Sequence, residues 1–253
     1  MASLSKRHGR ILEILDSEGT VTIATLAHRL DVSTETVRRD LRPLAARGEV
    51  VRMHGAVGLA TAASEAPFQR RMSENAEAKQ RIARAAAAMV RNGDSLLLDT
   101  GTTTSFLARA LHGHERLDIV TNSTDVARTL AGHRGNRVFL VGGRMNGDSG
   151  AVLGAEAIAA VSGVRAEHAI ISAGAISPRG IMDFDPDEAA FARALLGCGR
   201  RRTVVSDADK FGSEALAVVC ALTGIDRLVT DAAPPSDIAA ALDGAGVDVT
   251  VAQ

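Results

Sequence analysis

The sequence contains no tryptophan and no tyrosine, and aromatic residues make up 2% of it. Proteins that read single-stranded nucleic acid do so largely by stacking bases on aromatic side chains, so that class is excluded and duplex DNA remains open. Only two cysteines occur, Cys198 and Cys220, without metal-ligand spacing and without a local His or Cys partner. A zinc site and a disulfide framework are therefore not expected, and no cofactor is expected either. Long apolar runs are also missing. Nowhere do about 18 consecutive uncharged apolar residues occur, and the start lacks an apolar stretch behind a basic head, so the chain reads as cytoplasmic. An excess of either charge is absent as well, the formal net charge being −1. That does not exclude DNA, because affinity for phosphates follows local clusters of Lys and Arg rather than the sum.

What is present is enough for two domains: 253 residues, 46% of them hydrophobic. Residues 1–60 carry nine Lys/Arg against seven acids, so placement must carry any argument for DNA. From Leu4 to Glu18 the residues Leu4, Ile11, Ile14 and Leu15 recur at helical spacing. Thr22 is suited to cap a second helix with Ile23, Leu26, Ala27 and Leu30 inward, and Ser33 a third. The short break between the second and third helices has the length of a helix-turn-helix. In the third helix Val37, Leu41 and Leu44 share one stripe, which sets Arg38, Arg39 and Arg42 on the other side. Arginine grips phosphate and pairs with both acceptors of a guanine edge, and a helix fits the major groove. Ser33, Thr34 and Thr36 lie at its start. Glu49 to Gly55 reads as a strand and turn, a wing with Arg52 and His54 exposed. A bundle that merely exposes charge is the plainer alternative, but the turn, the cap and the arginine cluster together favour DNA. Pro43 removes one helix amide and predicts a kink or a loosened last turn.

The stretch "LAHRLDVSTETVRRDLRPLAARGEVVRMHGA" resembles the signature of the DeoR family of bacterial transcription regulators, with Ala56 where the family has a second glycine. Residues 56–68, rich in small side chains, read as a linker, and Arg70 to Arg91 as one long connecting helix.

Beyond residue 92, short apolar runs alternate with helical stretches: Leu96–Leu98, Ile119–Val120, Val138–Val141, Ala169–Ser172, Thr203–Val205, Leu228–Val229 and Val247–Val251. This pattern predicts an α/β domain with a mostly parallel sheet, whose ligands bind past the carboxyl ends of the strands. The residues that follow the runs are small, polar and glycine-rich. The Gly-Thr-Thr turn at residues 101–103 offers amides and a helix end to a phosphate, Lys210 a matching charge, and Asp99 and Asn122 partners for sugar hydroxyls. Singly, each is ordinary turn chemistry; their repetition after successive strands is the signal. Neither a dinucleotide fingerprint nor a P-loop is present, which argues against nucleotide hydrolysis.

The resemblance extends through the rest of the chain: Lys79, Ile82 and Ala83, then Asp99 to Thr103, Thr121-Asn122-Ser123, Gly142-Gly143 and Asp207 to Gly212 match the family's effector domain. It implies a fold similar to the ribose-5-phosphate isomerase and coenzyme A transferase group. It also implies a phosphorylated sugar in a pocket lined by Asp99, Gly101, Thr102, Thr103, Asn122, Gly143, Gly174 and Lys210. Pro186-Asp187-Glu188 matches a further family feature; Asp183 and Asp185 add negative charge that a phosphate would avoid and either contact a sugar or amine or cap the helix there, the cap being the favoured reading. The expected division is a winged helix-turn-helix over 1–58, a linker and start of the connecting helix over 59–78, and an effector domain over 79–253. A repressor working as a homo-oligomer, dimer or tetramer, is the reading that results. The rivals are a sugar-phosphate isomerase fused to a DNA-binding domain, for which Glu188 or Asp99 would be the base but no acid is paired in sequence, and an adaptor whose α/β domain only oligomerises.

Overall fold

The computed structural model describes residues 2–18, 21–53, 56–59 and 65–253, with side chains over 6–15, 17–18, 21–50, 57–58 and 65–253. The chain divides into two compact units, Met1–Arg70 and Arg71–Gln253.

The first unit runs α1 (Ala2–Glu18), β1 (Val21–Thr22), α2 (Ile23–Arg29), α3 (Thr34–Ala46), β2 (Val50–Met53) and β3 (Ala56–Leu59). Ile11, Ile14 and Leu15 of α1, Leu26 of α2, and Val37, Leu41 and Leu44 of α3 fill one core, as their 3.6-residue spacing requires. Thr22 Oγ1 accepts the Thr25 N–H at 3.0 Å and Ser33 Oγ the Thr36 N–H at 3.1 Å, so both expected caps form. The strands make an antiparallel sheet in the order β1-β3-β2, with Val21 opposite Val57 and Met53 opposite Ala56. The β2–β3 hairpin is the wing. Strand β1 is an addition to the sequence reading, because two residues are too few to show a period of two. The expected disruption at Pro43 is corrected: α3 runs unbroken through it. Only three helical residues follow the proline, and the Arg47 N–H closes the last turn on the Pro43 carbonyl at 3.1 Å.

The expected helix over 70–91 is instead two, α4 (Phe68–Ser73) and α5 (Ala76–Ala87). Between them Asn75 has φ +51°, and a left-handed residue cannot continue a right-handed helix. Then follow β4 (Ser95–Leu98), α6 (Thr102–Ala110), β5 (Asp118–Thr121), α7 (Thr124–Leu130), β6 (Arg137–Leu140), β7 (Arg144–Met145) and β8 (Val152–Leu153). The chain continues through α8 (Ala155–Ser162), β9 (Ala166–Ser172), β10 (Ala175–Ser177), β11 (Gly180–Asp183), α9 (Pro186–Leu196) and β12 (Gly199–Val205). Last come β13 (Ala217–Cys220), β14 (Arg227–Thr230), α10 (Ser236–Gly244) and β15 (Asp248–Val251).

Seven strands form one wholly parallel sheet in the order β15-β14-β12-β9-β4-β5-β6. Alternate residues enter opposite cores, as the pleat dictates. Leu96, Leu98, Ile119, Ile170, Val205 and Val229 pack with α5, α6 and α7, whereas Leu97, Ala169, Ile171, Val204 and Leu228 pack with α8, α9 and α10. Each fully buried leucine contributes about 2 kcal/mol, so the two faces hold the sheet firmly enough to position its loops. The order of strands reverses between β4 and β9: from β4 the chain proceeds outward to β5 and β6, and the later strands are added on the other side.

Candidate DNA interface and effector site

Helix α3 has two chemically distinct faces. Val37, Leu41, Leu44 and also Asp40 are buried. Asp40 receives a forked contact from Arg7 of α1, Nε to Oδ2 and Nη2 to Oδ1, the latter at 3.0 Å, which ties α1 to α3. Of the consecutive residues Arg38, Arg39 and Asp40, then, only the arginines face outward. Ser33, Thr34, Arg38, Arg39 and Arg42 are exposed and Thr36 is half-buried. The Thr36 hydroxyl lies 2.9 Å from Ser33 Oγ and belongs to the cap. Arg38 sits 3.7 Å from Glu35, while Arg39 and Arg42 have no ion-pair partner among the described residues. Arg52 stands on β2 opposite Val57; its side chain, and all of His54, lie outside the described residues.

In the second unit the parallel strands present their carboxyl ends at one edge of the sheet, and the change of strand order between β4 and β9 is where sheets of this kind bind ligands. Asp99, Gly101, Thr102 and Thr103 follow β4, Asn122 follows β5, Gly143 follows β6, Gly174 follows β9 and Lys210 follows β12. The Ser172 N–H donates to both Asp99 oxygens, at 3.2 and 3.1 Å, and so bridges β4 and β9 at the reversal. Thr100 Oγ1 donates to Asn122 Oδ1 at 3.2 Å, joining β4 to β5. A Cβ on Gly101 would stand 1.9 Å from Ser172 Oγ; only glycine lets the start of α6 approach so closely. No side chain caps α6, so the first-turn amides at Thr102 and Thr103 remain as donors at a positive helix end.

The other positions build walls. Gly143 has φ +148°, and a Cβ there would meet the Leu153 carbonyl at 2.5 Å. The β7–β8 hairpin that follows folds onto β5, with the Val152 N–H donating to the Asn122 carbonyl at 2.7 Å. It also reaches α9: Ser149 Oγ donates to Glu188 Oε1 at 3.3 Å and Arg144 Nη2 to Asp187 Oδ2 at 2.8 Å. Gly174 acts through its backbone, its N–H donating to the Met182 carbonyl at 3.0 Å. Asp185 caps α9, accepting the Asp187 N–H at 2.8 Å, and Asp183 accepts the Asp185 N–H at 2.9 Å. Lys210, half-buried, ends the short turn Ala208–Lys210.

Electrostatics divide this edge. Burial pushes the Asp99 carboxyl well above the usual carboxylate range, with Asp183 and Glu188 pressing the same way and the Ser172 N–H opposing. Burial likewise lowers the Lys79 ammonium, which Lys210 and Arg71 reinforce and Asp207 opposes. Asp99, Asp183 and Glu188 thus act on one another as one group, and Lys79 and Lys210 belong to another that also holds Asp207. No group of three or more His, Cys, Asp or Glu capable of holding a metal occurs among the described residues, and no helix among them is long and apolar enough to cross a membrane.

Residues 7–63 match the DeoR-like helix-turn-helix domain and residues 74–232 the DeoR C terminal sensor domain. The chain belongs to the DeoR family. It is thus a DNA-binding transcriptional regulator. The Glycerol-3-phosphate regulon repressor of Escherichia coli (strain K12) is 33% identical over 235 residues, covering 92% of this chain and 93% of its own. The HTH-type transcriptional repressor CsqR of the same strain is 32% identical over 248 residues, covering 98% and 95%. Both relatives are named as repressors and neither as an enzyme. Among solved structures, ribose 5-phosphate isomerase A from Neisseria gonorrhoeae aligns with a TM-score of 0.37 and 16% identity over 54% of this chain and 53% of that one, an overlap too shallow to argue from.

Two parts of this DeoR-family sensor unit escaped the sequence reading. Asn75 donates from Nδ2 to Asp209 Oδ2 at 2.7 Å and to Asp207 Oδ1 at 3.3 Å, holding the Lys210 turn. Its signal was available, since asparagine inside a helical pattern is the non-glycine residue best able to turn left-handed. Ser149 carried no signal, because its partner Glu188 comes 39 residues later.

Proposed function

We propose that this chain is a repressor of a carbohydrate-metabolism operon whose affinity for operator DNA changes when a phosphorylated sugar occupies the strand ends of the sensor unit. The uncapped start of α6 at the reversal between β4 and β9 carries this reading: it is a built anion site beside carboxylates and an amide suited to hydroxyls. The phosphate sits on the Thr102 and Thr103 amides with Lys210 as counter-charge. Asn122, Glu188 and Asp183 face the sugar, Asp99 holds the floor from beneath, and Gly101, Gly143 and Gly174 admit the close backbone approaches that shape the walls. Ser33, Thr34, Thr36, Arg38, Arg39 and Arg42 meet the operator, with Arg52 and His54 on the wing. The relative named for a glycerol-3-phosphate regulon supports a small phosphorylated polyol or sugar as the ligand class. Control is linkage: the effector shifts operator affinity only by its different affinity for the two states.

A thermal-shift screen of phosphorylated sugars, glycerol 3-phosphate and ribose 5-phosphate included, tests it. A true effector at a hundred times its Kd adds about 2.7 kcal/mol of stability, and its titration changes the affinity for a duplex from the chain's own promoter region. No shift with any of these compounds overturns the sensor assignment; turnover of ribose 5-phosphate by the purified chain overturns the repressor in favour of an enzyme.

A further inference from the structure

The turn that carries Lys210 is fastened to the corner between α4 and α5. Asn75, exposed and at φ +51°, reaches both Asp207 and Asp209 with its amide. A second tie runs beside it: the Ala208 N–H donates to Asp231 Oδ1 at 2.9 Å, and Asp231 Oδ2 lies 3.7 Å from Arg81 of α5. The corner itself is fixed from inside. The buried Lys79 ammonium donates to the carbonyls of Arg71 and Glu74, at 2.6 and 2.9 Å, which gathers the end of α4 onto α5. The boundary between the two units falls within α4, after Arg70. Arg70 in turn donates to the carbonyl of Arg47, the residue that closes α3. Each of these contacts lies within one unit, and the α4 backbone connects the two sets.

The residue type at position 75 fits a latch and little else. Glycine would hold the left-handed backbone but make neither bond. Aspartate would hold the backbone but oppose Asp207 and Asp209 with like charge. Asparagine alone supplies tolerance of positive φ together with a neutral double donor.

We propose that Asn75 is the coupling residue of this regulator: movement of the Lys210 turn when effector binds is passed through the Asn75 amide to the α4–α5 corner, and along α4 to the end of α3. This rests on Lys210 belonging to the effector site. Asn75 lies on neither the arginine face of α3 nor the start of α6, so removing its amide cuts the transmission and spares both binding surfaces.

The test compares full-length wild type with Asn75→Gly, which keeps the backbone conformation. The probes are a duplex enriched by the protein from a random pool and the best phosphorylated sugar of the screen. The wild-type change in duplex affinity on saturation with the sugar falls in the range of about 5–150-fold. In Asn75→Gly, duplex affinity without sugar stays within about twofold of wild type, as for other exposed substitutions, while the sugar-induced change drops below about threefold. Because coupling is reciprocal, the duplex alone alters amide exchange over residues 207–212 in wild type but not in Asn75→Gly. Asn75→Asp, which adds repulsion, loses coupling at least as fully. Wild-type coupling retained in Asn75→Gly overturns the proposal, as does exchange over 207–212 that ignores the duplex in wild type. If no sugar shifts wild-type affinity yet the duplex-induced exchange change is present and depends on Asn75, the latch stands and the sugar-phosphate reading falls.

Discussion

A guanidinium already engaged by a carboxylate has less to offer a phosphate than one that is not. Arg38 shares its charge with Glu35 at 3.7 Å, whereas Arg39 has no such partner among the described residues. Arg39→Ala is therefore expected to weaken duplex binding more than Arg38→Ala does. The loss is about 1–3 kcal/mol if Arg39 grips a base edge, with the salt dependence reduced by about one ion if it grips a phosphate. Fluorescence anisotropy over a salt series separates the two; an Arg39→Ala protein that binds like wild type removes Arg39 from the interface. Asp99 yields a prediction of another kind. Its folded-state pKa lies above its unfolded value because the carboxyl is buried, so the folded protein holds the proton more tightly. Its stabilising contribution is complete below the ordinary carboxylate range and is lost as pH rises from there through the raised value. Asp99→Asn keeps an acceptor for the Ser172 N–H without the charge, so its melting temperature should fall less than that of wild type across this window. Parallel pH profiles would show that Asp99 is ionised in the fold without penalty.

Between elements, the decisive contact is that of α6 against the end of β9. Gly101→Ala places a methyl 1.9 Å from Ser172 Oγ and 2.8 Å from its Cβ. Overpacking of this kind costs about 1–3 kcal/mol, and pushing α6 outward also displaces the Thr102 and Thr103 amides. The double variant Gly101→Ala, Ser172→Gly removes both offending atoms and should recover most of the stability in thermal melts. Failure to recover would place the cause elsewhere than in this approach. This junction was half legible in the sequence: Gly101 stood out after an apolar run, but its partner Ser172 is brought near only by the sheet order. The buried runs of β4, β9, β12 and β14 were legible for the same reason that the sheet is stable, since residues covered on both faces of a strand are apolar in succession; the edge strands β6 and β15 are largely exposed and showed only as short apolar runs. The two-residue strands β1, β7 and β8 leave no such trace, and the corner at Asn75 was hidden by good helical periodicity on either side of it. Asp40 was legible as part of a motif but not as buried, because its partner Arg7 is supplied by another helix.

At the scale of the whole molecule, the reading proposed for α3 needs more than one copy of the helix. Helix α3 is 13 residues long, and its outward arginines, Arg38 to Arg42, span little more than one turn, which lets it address about three or four base pairs of a groove. A site of that size recurs throughout any genome, and non-specific binding to the remainder would dominate. Two copies related by a twofold axis double the site and impose a spacing, so the chain is expected to bind as a homo-oligomer to half-sites set about one helical turn, or a multiple of it, apart. Sedimentation of the complex should show at least two chains per duplex, and footprinting should show an inverted repeat. Inserting half a turn, about five base pairs, between the half-sites turns the second to the opposite face of the DNA and should lower affinity steeply, while a full-turn insertion restores part of it. Binding indifferent to that insertion would mean that each α3 reads alone, and specificity would then have to come from the wing or from the shape of the DNA.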